Sequence, residues 1–425
     1  MLKGGERNML KLYEIEQKFI DRKIDNINEI VNREIIENYT LQALPKNSKV
    51  AITAGSRGIS NIVVILKEVV ATLKGMDLVP FLVPAMGSHG GATAEGQLEV
   101  LEHLGITEET INAPIRSSMD VERIGNTNSG LPVYIDKIAN EADGIIVVNR
   151  VKAHTAFQGE VESGLSKMVA VGLGKRKGAS FIHSQGAPKM ARNILEVSRY
   201  SIENTPICMG LAIIENGYDQ TAVIQGVSVE NWHEKESELL LLSKSMMPSL
   251  PIENIDLLIV EEMGKAFSGT GMDPGIIGRW RIEGVQEPSS PKVKRLVVLD
   301  LNEKSFGNAQ GIGLADFTTE ALINKVDRKA TYMNSITSTF LQRGMFPLFY
   351  ANEKETIETA IFSLGPDVDI QQLKIVQIPN TLYLKRVFIS EVALQELKKS
   401  NREFTVIKEL ELQFDEENYL KIKIT

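Results

Sequence analysis

Three of the chain's five histidines lie where an apolar run gives way to small polar residues. They are His89 in Ala85-Met-Gly-Ser-His-Gly-Gly, His154 in Asn149-Arg-Val-Lys-Ala-His-Thr and His183 in Ser180-Phe-Ile-His-Ser-Gln-Gly. Imidazole moves protons near neutrality and binds borderline metals. His89 has a plain alternative as a structural or incidental loop residue and His154 as a ring bonded to a neighbouring carbonyl, but strand-end loops are where α/β proteins place their chemistry. Lys167, in Ser163-Gly-Leu-Ser-Lys-Met, falls between the last two histidines. Its apolar flanks suggest partial burial or a covalent partner rather than a solvated amine.

Three further stretches are candidates. Ala54-Gly-Ser-Arg-Gly-Ile-Ser closes a strand and opens a helix. Its free backbone N–H groups suit an anion, with Arg57 adding a bidentate contact, unless the turn is merely tight and Arg57 solvated. Gly172-Leu-Gly-Lys-Arg-Lys-Gly-Ala-Ser lacks the spacing of a nucleotide P-loop. Lys175, Arg176 and Lys177 either hold a cofactor phosphate or form a solvated basic turn. In Ser268-Gly-Thr-Gly-Met-Asp-Pro-Gly-Ile-Ile-Gly-Arg-Trp-Arg the glycines permit close approach to a ligand, with Asp273 and Arg279 as the polar candidates. The alternative there is a long turn between strands. His103 and His233 lie in helical patterns and read as surface or packing residues.

The elements that must position these residues alternate. Buried strands are predicted over 49–55, 78–84, 143–151, 206–214 and 222–227. Helices are predicted over 61–73, 93–104, 160–171 and 229–246. After a linker at Pro248-Ser-Leu-Pro the rhythm resumes: strands at 255–262, 295–301 and 374–378, helices at 318–326 and 390–399, and an edge hairpin from the tail 404–424. This is an α/β protein of two domains with mostly parallel sheets, residues 1–250 and 251–425, the tail packing back on the first. Pockets favour domain interfaces, so the active site is expected in the cleft, with the 268–281 loop closing over it.

Composition bounds the rest. At 43% hydrophobic and 24% charged, the chain is an ordinary globular protein with ample core material. A net charge of -8 leaves no basic footprint for nucleic acid or an anionic membrane. One cysteine, Cys208 in an apolar run, excludes an internal disulfide and a cysteine metal cluster and reads as buried. No signal core or membrane span is evident, and a cytoplasmic location is expected.

At these residues the sequence resembles the nickel-dependent lactate racemase family and its wider set of 2-hydroxyacid racemases and epimerases. The ordered set carries the resemblance: Ser56-Arg57, the Gly-Ser-His loop at 89, His154, Lys167, His183 sixteen residues later, and the Asp273 loop. The resemblance implies a nickel-pincer nucleotide, a pyridinium-3,5-bisthiocarboxylic acid mononucleotide bearing nickel. By the same resemblance Lys167 bonds the cofactor, with Ser88, Lys175 and Arg176 as further contacts, and His183 is the protein ligand to nickel. His89 and His154 are the acid/base pair, and Arg57 binds the substrate carboxylate with Asp273 and Arg279. The implied reaction passes the C2 hydrogen as hydride to the cofactor and returns it to the other face. That route avoids a carbanion beside an ionised carboxylate, and it leaves the protein to orient the partners. Other implied partners are the enzymes that synthesise the cofactor.

Two departures bear on the substrate. Lactate enzymes carry aspartate three positions before the arginine, where this chain has Ala54. Their second-domain Gln and Lys meet Gly-Arg-Trp-Arg here, with Arg279 and Arg281 both open as the counterpart. A bulkier or more hydroxylated acid, such as an aldonate, is therefore expected. Two other classes remain open at this stage. One is a non-catalytic carrier of an anionic metabolite or nucleotide. The other is a metal-dependent hydrolase or lyase, although Glu160 and Glu162 form no His-Glu-x-x-His signature with His154.

Overall fold

The computed structural model describes residues 10–424, apart from the side chain at 337. The chain forms two compact units, Ile20–Met247 and Pro248–Thr425, the second also taking the N-terminal residues up to Phe19.

The Ile20–Met247 unit is built on a five-stranded sheet. The strands run Val79–Pro84, Lys49–Ala54, Gly144–Arg150, Ile207–Glu215 and Thr221–Ser228 in spatial order. The first four are parallel and the last is antiparallel. Val-Ala-Ile-Thr-Ala in the second strand is buried throughout, as expected for a strand covered on both faces. One face packs on helix Ile62–Gly75 through Ile65, Leu66, Val69, Val70 and Leu73. The other packs on Leu165, Met168 and Leu173, and on Trp232, Leu239 and Leu240 of helix Trp232–Met246. Strand Lys49–Ala54 has its sequence successor on one side and Gly144–Arg150 on the other. Strand order reverses between these two, the place where open α/β sheets bind ligands at their carboxyl ends.

Helix Ala94–His103 starts where expected, with Thr93 Oγ1 accepting from the Gly96 N–H at 3.0 Å. Two local expectations change. The helix predicted over 160–171 begins only at Leu165, because Lys152 and Ser163 exchange backbone hydrogen bonds and hold the preceding segment extended. It then widens into a π-helical stretch, Met168–Leu173, a form that recurs at functional sites. His183 is helical rather than in a loop, on Lys175–Ser184.

The second unit holds an eight-stranded mixed sheet. Five parallel strands (Leu348–Tyr350, Phe317–Thr319, Lys292–Leu301, Asn254–Met263 and Ile375–Ile378) are followed by antiparallel Arg386–Ser390, Lys11–Gln17 and Phe404–Glu411. The helix predicted over 318–326 is a short strand followed by helix Glu320–Asn324. Lys11–Gln17 pairs on both sides inside this sheet, so the N-terminal strand lies in the second unit although the boundary at 250 put it in the first. The tail supplies the edge strand, then folds back on itself through an antiparallel bridge between Phe414 and Leu420, and anchors within its own unit. Phe404–Glu411 pairs with Lys11–Gln17, Lys423 pairs with Glu353, and the Ile424 N–H donates to Glu261. Cys208 is buried, as its apolar run implied. Among the described residues no helix is long and apolar enough to cross a membrane.

Candidate active site

Three neighbouring strands deliver the site. Lys49–Ala54 ends in Ser56-Arg57, Val79–Pro84 in the His89 loop, and Gly144–Arg150 in the His154 loop. The His89 loop turns on glycines. Gly90 has φ +63, and a Cβ on Gly96 would lie 2.1 Å from the Gly90 carbonyl oxygen, so the loop folds flat against the helix that follows. The loop also rests on the π-helical stretch, where a Cβ on Gly172 would lie 2.7 Å from the Ala85 carbonyl oxygen.

The Lys167 segment is fixed from two directions. Asn149 Nδ2 donates to the Gly164 carbonyl at 2.8 Å, tying it to the Gly144–Arg150 strand end. Behind it, the buried Glu236 carboxylate accepts from the Ser166 N–H at 3.0 Å and from the Ser166 hydroxyl, which also takes the Trp232 Nε1–H at 3.3 Å. Burial raises Glu236 to about 7 against these hydrogen bonds.

Phe157 brings His154 and Lys167 to one place. The His154 ring stacks on Phe157 with centroids 4.1 Å apart, and Lys167 Nζ lies 5.9 Å from the same ring. Phe157 also packs in one cluster with Ile182, the neighbour of His183. The His154 N–H donates to Glu162 Oε2 at 2.7 Å, and Glu162 Oε1 takes Lys244 at 2.7 Å, so that carboxylate holds the loop rather than a metal.

Electrostatics define the same group of residues. Burial, then Arg57 and Lys152, lower the Lys167 amine to about 8. Burial, then Arg57 and Lys167, hold His89 below the ordinary imidazole range. Burial, then Lys167, do the same to His183, which still keeps much of its surface in solvent. Each of these three therefore loses its proton more readily than in water. The Ser56 hydroxyl and His89 Nδ1 share a hydrogen bond. No carboxylate pairs with Arg57 among the described residues, and with Lys152 and Lys167 nearby these strand ends carry positive charge, which suits an anion.

Several expected residues have other tasks. Lys175 is wholly enclosed 3.0 Å from Asp136, so its ammonium is not available to a cofactor phosphate. Arg176 and Ser88 are exposed. Lys177 lies 4.8 Å from the Tyr134 ring centroid. In the second unit Asp273 caps helix Pro274–Ile277, accepting from the Gly275 N–H at 2.9 Å. Arg279 is 2.7 Å from Asp316 and donates to the carbonyls of Leu314, Val293 and Lys294. Arg281 shares Asp316 at 2.8 Å. Both guanidiniums are engaged with Asp316 and backbone carbonyls of their own unit. Glu236 escaped the sequence reading because a buried polar residue inside a helical pattern has no local signature, and Glu162, considered there as a metal carboxylate, supports the loop instead.

The chain is thus a two-unit α/β protein whose candidate histidines and lysine gather at the carboxyl ends of a parallel sheet. Residues 6–191 match the family model for the lactate racemase N-terminal domain, in agreement with the sequence resemblance. The structure of the lactate racemase apoprotein from Thermoanaerobacterium thermosaccharolyticum is similar in fold, with a TM-score of 0.51 at 15% identity, covering 87% of this chain and 98% of that one. A structural-genomics protein from Thermotoga maritima matches with a TM-score of 0.50 at 13% identity, covering 84% and 96%. No curated protein matches the chain significantly.

Proposed function

We propose that the chain is a racemase or epimerase that inverts C2 of a 2-hydroxyacid, using a nickel-pincer nucleotide held by Lys167 and His183. The observation that carries this reading is the convergence of His154 and Lys167 on Phe157, with His89 and His183 in the electrostatic reach of Lys167. The donor set fits the group. An amine at about 8 is partly neutral at working pH and could condense with a thiocarboxylic acid arm, water leaving, to give a thioamide that would keep its sulfur for nickel. A proton-free His183 offers a lone pair to nickel. Among the described residues no three His, Cys, Asp or Glu side chains converge as a metal site, so nickel here would need ligands from a bound organic group.

When bound, the cofactor supplies a place to which the C2 hydrogen can leave and from which it can return. The protein does the rest. Arg57 holds the substrate carboxylate by paired hydrogen bonds. His89, whose ring holds its proton less tightly than in water, takes the hydroxyl proton from one enantiomer. His154 handles that proton for the other enantiomer, since the two present their hydroxyls in different directions. Ala54, 2% exposed, adds no charge beside Arg57, which favours a substrate other than lactate, such as an aldonate.

The test is inversion by protein co-produced with the cofactor-synthesis enzymes and supplied with nickel, across single-enantiomer 2-hydroxyacids from lactate to aldonates. Inversion of one member, lost in His89→Ala and His154→Ala, is expected. No inversion by protein shown by mass to carry nickel and cofactor would overturn the reading.

A further inference from the structure

The Lys175 amine lies 3.0 Å from Asp136 Oδ2 and donates to Gln97 Oε1 at 3.1 Å and to the Pro84 carbonyl. Gln97 carries the network onward, its Nε2 donating to the carbonyls of Gly87 at 3.1 Å and His89 at 3.4 Å. Asp136 Oδ1 accepts from the Ala139 N–H at 2.8 Å. Asp136, Lys175 and Gln97 are each 0% exposed. One buried polar chain therefore runs from Asp136, through the first residue of the His183 helix, to two carbonyls of the His89 loop.

Such a chain is costly to bury, and an apolar filling of equal volume often serves stability as well or better. What a satisfied polar network adds is a defined geometry. The His89 loop needs one, because Gly87, Gly90 and Gly91 all adopt positive φ and give it little rigidity of their own. Lys175 itself sits at φ +51, a conformation that a lysine keeps only when its surroundings impose it.

We propose that Gln97 is a positioning residue: gripped by the Lys175–Asp136 pair, it fixes the carbonyls on either side of Ser88 and so holds the His89 ring toward Ser56, Arg57 and Lys167. Its relevance to turnover rests on the proposed role of His89 as a base, but the fixing itself does not depend on turnover.

The experiment is an NMR titration of the histidine rings in the cofactor-free full chain. It compares the unaltered protein with Gln97→Met and with the double variant Asp136→Leu/Lys175→Met, in which both charges are removed together so that neither is left buried alone. Thermal melting confirms that each is folded. His89 is expected to titrate higher in both, as its ring leaves its partly buried position and the field of Arg57 and Lys167. In loaded protein, kcat falls about tenfold with little change in KM. An unchanged His89 titration in either folded variant would overturn the proposal. A shifted His89 in a protein that inverts no substrate would leave the positioning intact and remove the racemase reading alone.

Discussion

The Ser56 hydroxyl and His89 Nδ1 share a hydrogen bond that joins two strand-end loops thirty-three residues apart. The bond engages Nδ1, so on the proposed reading Nε2 is the nitrogen that meets a substrate. Ser56→Ala is expected to lower kcat about tenfold, in the range seen when a histidine loses its orienting partner. The melting temperature should hardly move, because Ser56 lies on a partly exposed turn. Steady-state kinetics alongside thermal melting checks both halves.

Lys167 has a stability signature as well as a reactivity. Its folded-state value of about 8 lies below its ordinary 10.5. Between those values the folded chain has released a proton that the unfolded chain still binds, so this group's contribution to stability rises with pH from about 8 to 10.5. Below pH 8 the fold carries a disfavoured charge. Lys167→Met is therefore expected to melt higher than the unaltered chain at pH 7, with a smaller gain at pH 10. In the unaltered chain, Lys167 should be acylated by an amine-reactive reagent with a midpoint near pH 8, read by peptide mass spectrometry.

Glu236 gives the opposite slope. Its carboxyl, 1% exposed, is raised from 4.5 to about 7, so stability is fully present below the lower value and is lost as pH rises through the higher. The shift corresponds to about 3 kcal/mol. Glu236→Gln keeps an oxygen to accept from Ser166 but does not titrate. The unaltered chain is expected to lose up to that amount relative to the variant between pH 5 and 8, measured by denaturant unfolding at each pH.

Arg279 and Asp316 form a structural pair with side chains 11% and 23% exposed. Arg279→Met leaves a mostly enclosed carboxylate with Arg281 as its remaining cation. A loss of about 3 kcal/mol in stability is expected, as when one partner of a buried pair is removed. KM for the substrate of the loaded protein should stay unchanged. A tenfold rise in KM without destabilisation would mark Arg279 as a substrate contact.

The site was legible in the sequence where chemistry coincides with local pattern. Apolar runs ending in Gly-Ser-Arg, Gly-Ser-His and Lys-Ala-His mark strand ends directly, and three such loops fall on neighbouring strands. The reading failed where a partner is distant in sequence. Gly-Lys-Arg-Lys-Gly looks like a solvated turn, and nothing local shows that Lys175 is enclosed against Asp136 and Gln97. Arg279 looks available until Asp316 folds against it. Lys11–Gln17 joins its sheet through a strand near the other end of the chain, Arg386–Ser390, a pairing that periodicity cannot reveal.

The most direct test of the central claim is inversion in heavy water. Loaded protein is incubated in D2O with one enantiomer of the substrate found in the panel, and C2 of the inverted product is read by proton NMR. The account expects inversion with the original C2 hydrogen retained, because the hydrogen leaves and returns without exchanging with solvent. Inversion with deuterium at C2 would mean that a histidine removes that hydrogen as a proton, contradicting the account.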